Sequence, residues 1–250
     1  MILRDDGMIG AEVGEVRAVT AEAFGTFTLV FFGVGSAVFG LDRVGLVGVA
    51  LAFGLVLMAL VQIIGATSGC HVNPAITVGM LLSRRIGAVR AMGYIAAQLA
   101  GAIGAAAVLW LLVTFGGITD QTGVLGANSY GKTANVYGTL AVETIATGTL
   151  VLVAIAIVDR GLTRLHGPFA GGTLAMLHLL NLTVTGVSVN PARALGPALF
   201  EGGTALEQVW LFLLAPLLGG AIAAVVWPRV RANAAMPLGE GGGADTALST

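Results

Sequence analysis

The chain has 250 residues, with twelve Lys and Arg against thirteen Asp and Glu for a net charge of -1, and only 10% of residues are charged. Hydrophobic residues make up 56% and the mean hydropathy is +0.94, which excludes an ordinary soluble domain and points to an integral membrane protein. Balanced charge without a basic tract gives no footprint for nucleic acid, and the single Cys70 rules out an intrachain disulfide framework.

In chain order, residues 1–17 form a short leader in which Asp5, Asp6, Glu12 and Glu15 accompany Arg4 and Arg17. The apolar stretch after it runs past twenty residues and reads as a retained span, not a cleavable signal peptide. A hydrocarbon core of about 30 Å needs roughly 20 helical residues. Six segments approach or exceed that length: 18–41, 44–66, 91–114, 136–158, 168–185 and 208–228. The connection 116–135, rich in Gly, Thr, Asn, Ser and Tyr, reads as a surface loop. Residues 229–250, with Gly239 and Gly241 to Gly243, read as a disordered tail.

Basic residues set the orientation, because loops retained in the cytoplasm carry the excess. With the N-terminus inside, Arg4, Arg17, Arg84, Arg85, Arg90, Arg160, Arg164, Arg229 and Arg231 fall on the cytoplasmic side, and Arg43 and Lys132 outside. Both termini are therefore expected in the cytoplasm, in a cell (inner or plasma) membrane.

The chain repeats itself. Glu22, Thr26, Thr28, Leu29 and Val30 recur as Glu143, Thr147, Thr149, Leu150 and Val151 at an offset of 121, and Leu99, Gly101, Ala105, Ala106 and Val108 recur as Leu217, Gly219, Ala223, Ala224 and Val226 at 118. Each copy, about 18–118 and 136–228, holds three spans, so the second enters the membrane from the opposite side. Inverted repeats of this kind place their site near the midplane, between the halves.

Asn73-Pro74-Ala75 and Asn190-Pro191-Ala192 occupy matching places, 117 residues apart. A single Asn-Pro pair reads as an ordinary turn; duplication and symmetric placement favour a shared device. The apolar runs 74–83 and 191–200 behind them are half a span long. Asn is favoured as a helix cap and Pro at the first helical position, so both half-helices start at mid-membrane. The expected fold is an all-α membrane protein with six transmembrane helices and two re-entrant half-helices in an inverted repeat. The lead-ins 67–72 and 185–189 should be extended, offering carbonyls to a pore while each cap Asn keeps its NH2 for the lumen. Two positive helix ends and two amides facing one spot would orient water, break a proton wire and oppose cations.

These residues carry a resemblance to the aquaporin (major intrinsic protein) family, most like the bacterial aquaporin Z type of water channel. The doubled Asn-Pro-Ala, the Glu in spans one and four, Ala50 to Leu55 in span two and Ala205-Leu206-Glu207-Gln208 before span six are similar to that subgroup. The resemblance covers about 18–228 and implies a homotetramer with one pore per subunit. It also implies an outer selectivity constriction of Phe53, His178, Val187 and Arg193. A His at 178, where glycerol-conducting relatives usually carry Gly, and Ala194 after Arg193, where they carry Asp, favour water. Val187 departs from the usual Thr or Cys and removes the common site of mercurial block, although Cys70 could supply another thiol.

Several residues have plainer readings. Taken alone, His178 is a core His bonded to a neighbouring helix; with Phe53 and Arg193 it lines the pore. His71 lines the lumen or braces its loop, beside Gly69 and Cys70. Glu22 and Glu143 are expected to accept from re-entrant loop amides, and Gly101, Gly104, Gly219 and Gly220 to permit close helix packing. The sequence reading is a passive water-selective channel that excludes protons and ions. A facilitator of glycerol, ammonia or other small neutral solutes is the alternative, and an ion-coupled transporter a distant one. The three His and few carboxylates form no recognisable catalytic or metal-ligand set, so no enzyme activity, metal or cofactor is expected.

Overall fold

The computed structural model describes residues 6–231. Residues 1–5 of the leader and 232–250 of the expected tail lie outside the described residues. The elements are α1 (Asp6–Ser68), α2 (Pro74–Leu82), α3 (Ala88–Thr114), α4 (Val136–Asp159), a 3-10 turn (Thr163–Leu165), α5 (His166–Thr185), α6 (Pro191–Glu201) and α7 (Gly203–Val230).

The first two predicted spans are continuous in sequence as α1, but Gly45 breaks the helix with φ 63° and ψ -178°, a conformation open to Gly. Gly33 sits against the Phe53 ring and Gly25 against Ile64, so the two arms run antiparallel as separate spans. Helices α1, α3, α4 and α7 are long and apolar enough to cross a membrane. Helix α5, at 20 residues, has the length of a span, about 30 Å at 1.5 Å per residue. His166, His178, Asn181 and several Gly dilute its hydropathy, because its inner face turns to a polar interior.

Helices α2 and α6 are 9 and 11 residues long, half-spans as expected. The predicted lead-ins need correction. Helix persists through Ser68 and Thr185, and the backbone beyond each is not simply extended. Positive φ values recur at Gly69 (87°), Cys70 (54°) and Val72 (43°), then at Gly186 (73°), Val187 (48°) and Val189 (43°). These left-handed turns leave two successive amides of each loop, His71 and Val72, and Ser188 and Val189, directed at one acceptor.

Helix α1 packs on α3 as α4 packs on α7. A Cβ on Gly101 would lie 2.2 Å from the Ala23 carbonyl oxygen, and one on Gly219 would lie 2.4 Å from that of Thr144. These are equivalent contacts in the two repeats. The sequence groups Gly104 with them, but a Cβ there would meet only the Phe27 ring at 3.6 Å, an ordinary contact. Gly101→Val and Gly219→Val should each destabilise the fold by about 1–3 kcal/mol or more through overpacking. Gly104→Ala should be neutral or slightly stabilising. Thermal unfolding in detergent tests this, and equal melting of all three variants with wild type would contradict the packing account.

Candidate pore and outer constriction

The buried carboxylates of Glu22 and Glu143 hold the two re-entrant loops. Glu22 accepts from the amides of His71 (2.9 Å) and Val72 (2.6 Å) and from the Ser68 hydroxyl (2.6 Å). Glu143 accepts from the amides of Ser188 (2.9 Å) and Val189 (2.9 Å) and from the Thr185 hydroxyl (2.6 Å). A β-branched residue at positive φ is strained by about 1–2 kcal/mol. Each carboxylate offsets that strain at Val72 or Val189 with charge-assisted bonds in a dry interior.

The cap geometry arises from Asn before Pro. Asn73 Oδ1 accepts from the Ala75 amide at 2.8 Å, and Asn190 Oδ1 accepts from Ala192 (3.0 Å) and Arg193 (3.3 Å). Pro74 and Pro191 open the helices, and Ala75 and Ala192 are fully buried. The amide nitrogens differ from expectation: Asn73 Nδ2 donates to the Val189 carbonyl (2.7 Å) and Asn190 Nδ2 to the Val72 carbonyl (2.8 Å). One hydrogen of each NH2 is thus engaged across the repeat interface, and only the second remains free for another acceptor.

A cavity of about 20 Å³ lies between the halves, room for about one water. Its walls obey the repeat. Leu29 pairs with Leu150 at offset 121, and Leu57 with Leu174, Val72 with Val189 and Asn73 with Asn190 at 117. At the same offset Ile76 faces the place of Arg193, and His71 that of Ser188. Phe53 and His178 complete the wall without equivalents in it, their counterparts being Ala170 and Val61.

Three of the residues that break the symmetry, Phe53, His178 and Arg193, gather at one place. Phe53 and His178 stack with ring centroids 4.0 Å apart, and the Arg193 guanidinium carbon lies 5.6 Å from the Phe53 centroid. His178 Nδ1 is 2.9 Å from the Leu174 carbonyl, which can only accept, so Nδ1 carries the hydrogen and Nε2 is left as an acceptor. His178 Nε2 and Arg193 Nε are two of three buried side-chain polar atoms without a protein partner among the described residues, Thr139 Oγ1 being the other. An acceptor and a donor therefore stand free where the cavity is lined by both side chains.

Val187 is fully buried and absent from the cavity wall, although its neighbours Gly186 and Ser188 line the outer and central cavities. Gly69, Cys70 and His71 line an inner cavity together with Ala170 and His166. His71 also reaches the central wall, places Nδ1 3.1 Å from the Thr77 hydroxyl, and meets Tyr94 edge-on.

Two contributors escape the sequence reading. Gln98 is fully buried and donates to Glu22 (2.8 Å) and Thr77 (2.9 Å); a polar residue in an apolar span is the available signal. Asn128 is also buried, in a loop whose composition reads as surface, and nothing in its local sequence marks it.

Residues 11–227 match the family described as Major intrinsic protein. The chain belongs to that family. It is 40% identical over 222 residues to Aquaporin Z of Bradyrhizobium diazoefficiens, covering 85% of this chain and 92% of that protein. It is 41% identical over 216 residues to Aquaporin Z of Rhodopseudomonas palustris, covering 83% and 90%. Among solved structures, the aquaglyceroporin from Plasmodium falciparum superposes with a TM-score of 0.77 at 23% identity, over 86% of this chain and 96% of that one, a likeness of fold. This major intrinsic protein is a multi-pass membrane channel similar to the bacterial aquaporin Z type.

Glu22→Leu and Glu143→Leu each orphan two loop amides, at about 1–3 kcal/mol apiece. Both variants should give less folded protein and a lower melting temperature, with Glu→Gln intermediate. Wild-type melting of either Leu variant would show that the carboxylates are not what holds the loops.

Proposed function

We propose that this channel conducts water passively and selectively, and excludes protons, ions and larger neutral solutes. The carrying observation is the meeting of Phe53, His178 and Arg193 on the wall of a cavity with room for about one water. A water there donates to His178 Nε2 and accepts from Arg193 Nε–H, which replaces part of its hydration. The guanidinium charge opposes cations, while the ring pair leaves no width for a polyol. Val187, expected at the same level, is fully buried and does not line the central cavity, so the proposed constriction rests on Phe53, His178 and Arg193.

At the centre, the N-termini of α2 and α6 and the remaining N–H of Asn73 and Asn190 converge on one stretch of the cavity. A water accepting from both caps points its own hydrogens outward along the file, so neighbouring waters cannot pass a proton through it. Glu22 and Glu143 are occupied by the loops, which argues against their serving as the binding site of a coupling ion.

The two relatives named Aquaporin Z support water as the permeant. The proposed assembly is a homotetramer in the cell membrane with both termini cytoplasmic. Sidedness is supported by the clustering of Arg85 and Arg231 on Asp159 and of Arg90 on Glu15, at the end of the molecule opposite the constriction.

In proteoliposomes, stopped-flow light scattering should give osmotic water flux well above that of empty vesicles, with glycerol flux near background. Glycerol flux comparable to water flux would sink the water-selective reading, and a potential-dependent current would favour ion coupling. Arg193→Val combined with His178→Ala should raise urea and glycerol permeability about tenfold, equivalent to roughly 1.4 kcal/mol off the barrier. Unchanged exclusion by that double variant would remove these side chains from the filter.

A further inference from the structure

The constriction depends on where the Arg193 guanidinium rests, and its anchors come from outside the two re-entrant loops as well as within them. Nη2 donates to the Gly186 carbonyl at 3.3 Å. Nη1 donates to the Gly126 carbonyl at 3.0 Å and to Asn128 Oδ1 at 2.9 Å. Both of these acceptors belong to the connection 116–135, whose composition reads as a surface loop. Asn128 supplies the only side-chain acceptor among the three, and it is 3% exposed.

Asn128 is itself fixed. Its Nδ2 donates to the Thr185 carbonyl at 3.2 Å, and the Thr185 hydroxyl donates to Glu143. The loop around it is similarly built. Asp120 accepts from the amides of Thr122 (2.9 Å) and Leu125 (2.7 Å), and the Thr122 hydroxyl accepts from the Gly126 amide (2.9 Å). Gln121 clips the loop to the end of the first span by donating from its amide to the Val38 carbonyl (2.9 Å) and from Nε2 to the Phe39 carbonyl (3.0 Å).

We propose that Asn128 is a positioning residue of the selectivity constriction, holding the Arg193 guanidinium through Nη1 so that it stays out of the water path. The inference rests on the water-channel reading. With the Oδ1 acceptor removed, Nη1 keeps only the Gly126 carbonyl. A buried guanidinium with an unmet N–H seeks another acceptor, and by swinging into the central cavity that Arg193 already lines it obstructs the file.

The test is per-channel osmotic permeability in proteoliposomes for wild type, Asn128→Ala and Asn128→Asp, each repeated in an Arg193→Val background. Loss of a hydrogen bond to a charged group should lower the permeability of Asn128→Ala about threefold or more. Asn128→Asp gives up the Nδ2 bond to Thr185 but keeps an acceptor for Nη1, now charged, and should therefore lose less permeability than Asn128→Ala. In the Arg193→Val background, Asn128→Ala should change nothing further. Should Asn128→Ala not fold, Asn128→Ser, whose hydroxyl is too short to span both partners, reads the same quantity. Wild-type permeability in the Ala or Ser variant, or an equal loss in both backgrounds, overturns the proposal, because the residue would then act only on the fold.

The Arg193 side-chain 15N–1H resonances, measured on the same samples, track the bond independently of any solute. A wild type that passes no water overturns the water-channel reading alone. Unshifted Nη1 signals in Asn128→Ala overturn the positioning role alone.

Discussion

A peptide group at the depth of a bilayer midplane must find its partner inside the protein, since an unmet one costs several kcal/mol in hydrocarbon. Two loops of this chain reach that depth, and the carboxylates of Glu22 and Glu143 satisfy their amides. Those bonds fix the left-handed turns at Val72 and Val189, and the turns place the two carbonyls that receive the opposite Asn. The caps then seat the half-helices, and the second half-helix carries Arg193. A charge that costs much to bury thus serves geometry, and the pore wall is its result.

Most of that wall obeys the pseudo-two-fold relation between the repeats. The chemistry lies in the departures. At one end stand Phe53, His178 and Arg193; their counterparts at the other end are Ala170, Val61 and Ile76. Ala170 and Ile76 line the inner cavity, where they offer neither charge nor aromatic surface. The fold supplies two equivalent sets of positions, and only one of them carries an aromatic pair beside a guanidinium. Val187 and Cys70 hold corresponding positions, yet only the thiol side of the pair reaches a cavity.

Much of this is legible in the chain because membrane insertion simplifies the code. Hydropathy and length mark the spans, and the offset of 117 between the Asn-Pro-Ala copies marks the inversion. Glu22 and Glu143 stand out because a carboxylate in an apolar run needs a reason. Backbone handedness is not legible: nothing in Cys70 or in Val72, Val187 and Val189 advertises positive φ, which a carboxylate many residues away imposes. Nor is the destination of the Asn amides, since a bond from Asn73 to Val189 exists only once both halves are folded. Asn128 escapes for the opposite reason, because a polar residue in a Gly-rich connection looks solvated until the loop folds inward.

The crossed bonds, Asn73 to Val189 and Asn190 to Val72, have the form of an isologous interface: residue i meets j', and j meets i'. Such a contact is what two identical half-length chains would make on dimerising about an axis in the membrane plane. Identical chains could do so only if one copy inserted upside down relative to the other, leaving half of all encounters mismatched. Joining the copies through the connection 116–135 guarantees one of each orientation in every molecule. It also frees the two halves to diverge, which is the condition for a pore with Phe53, His178 and Arg193 at one end and Ala170, Val61 and Ile76 at the matching positions.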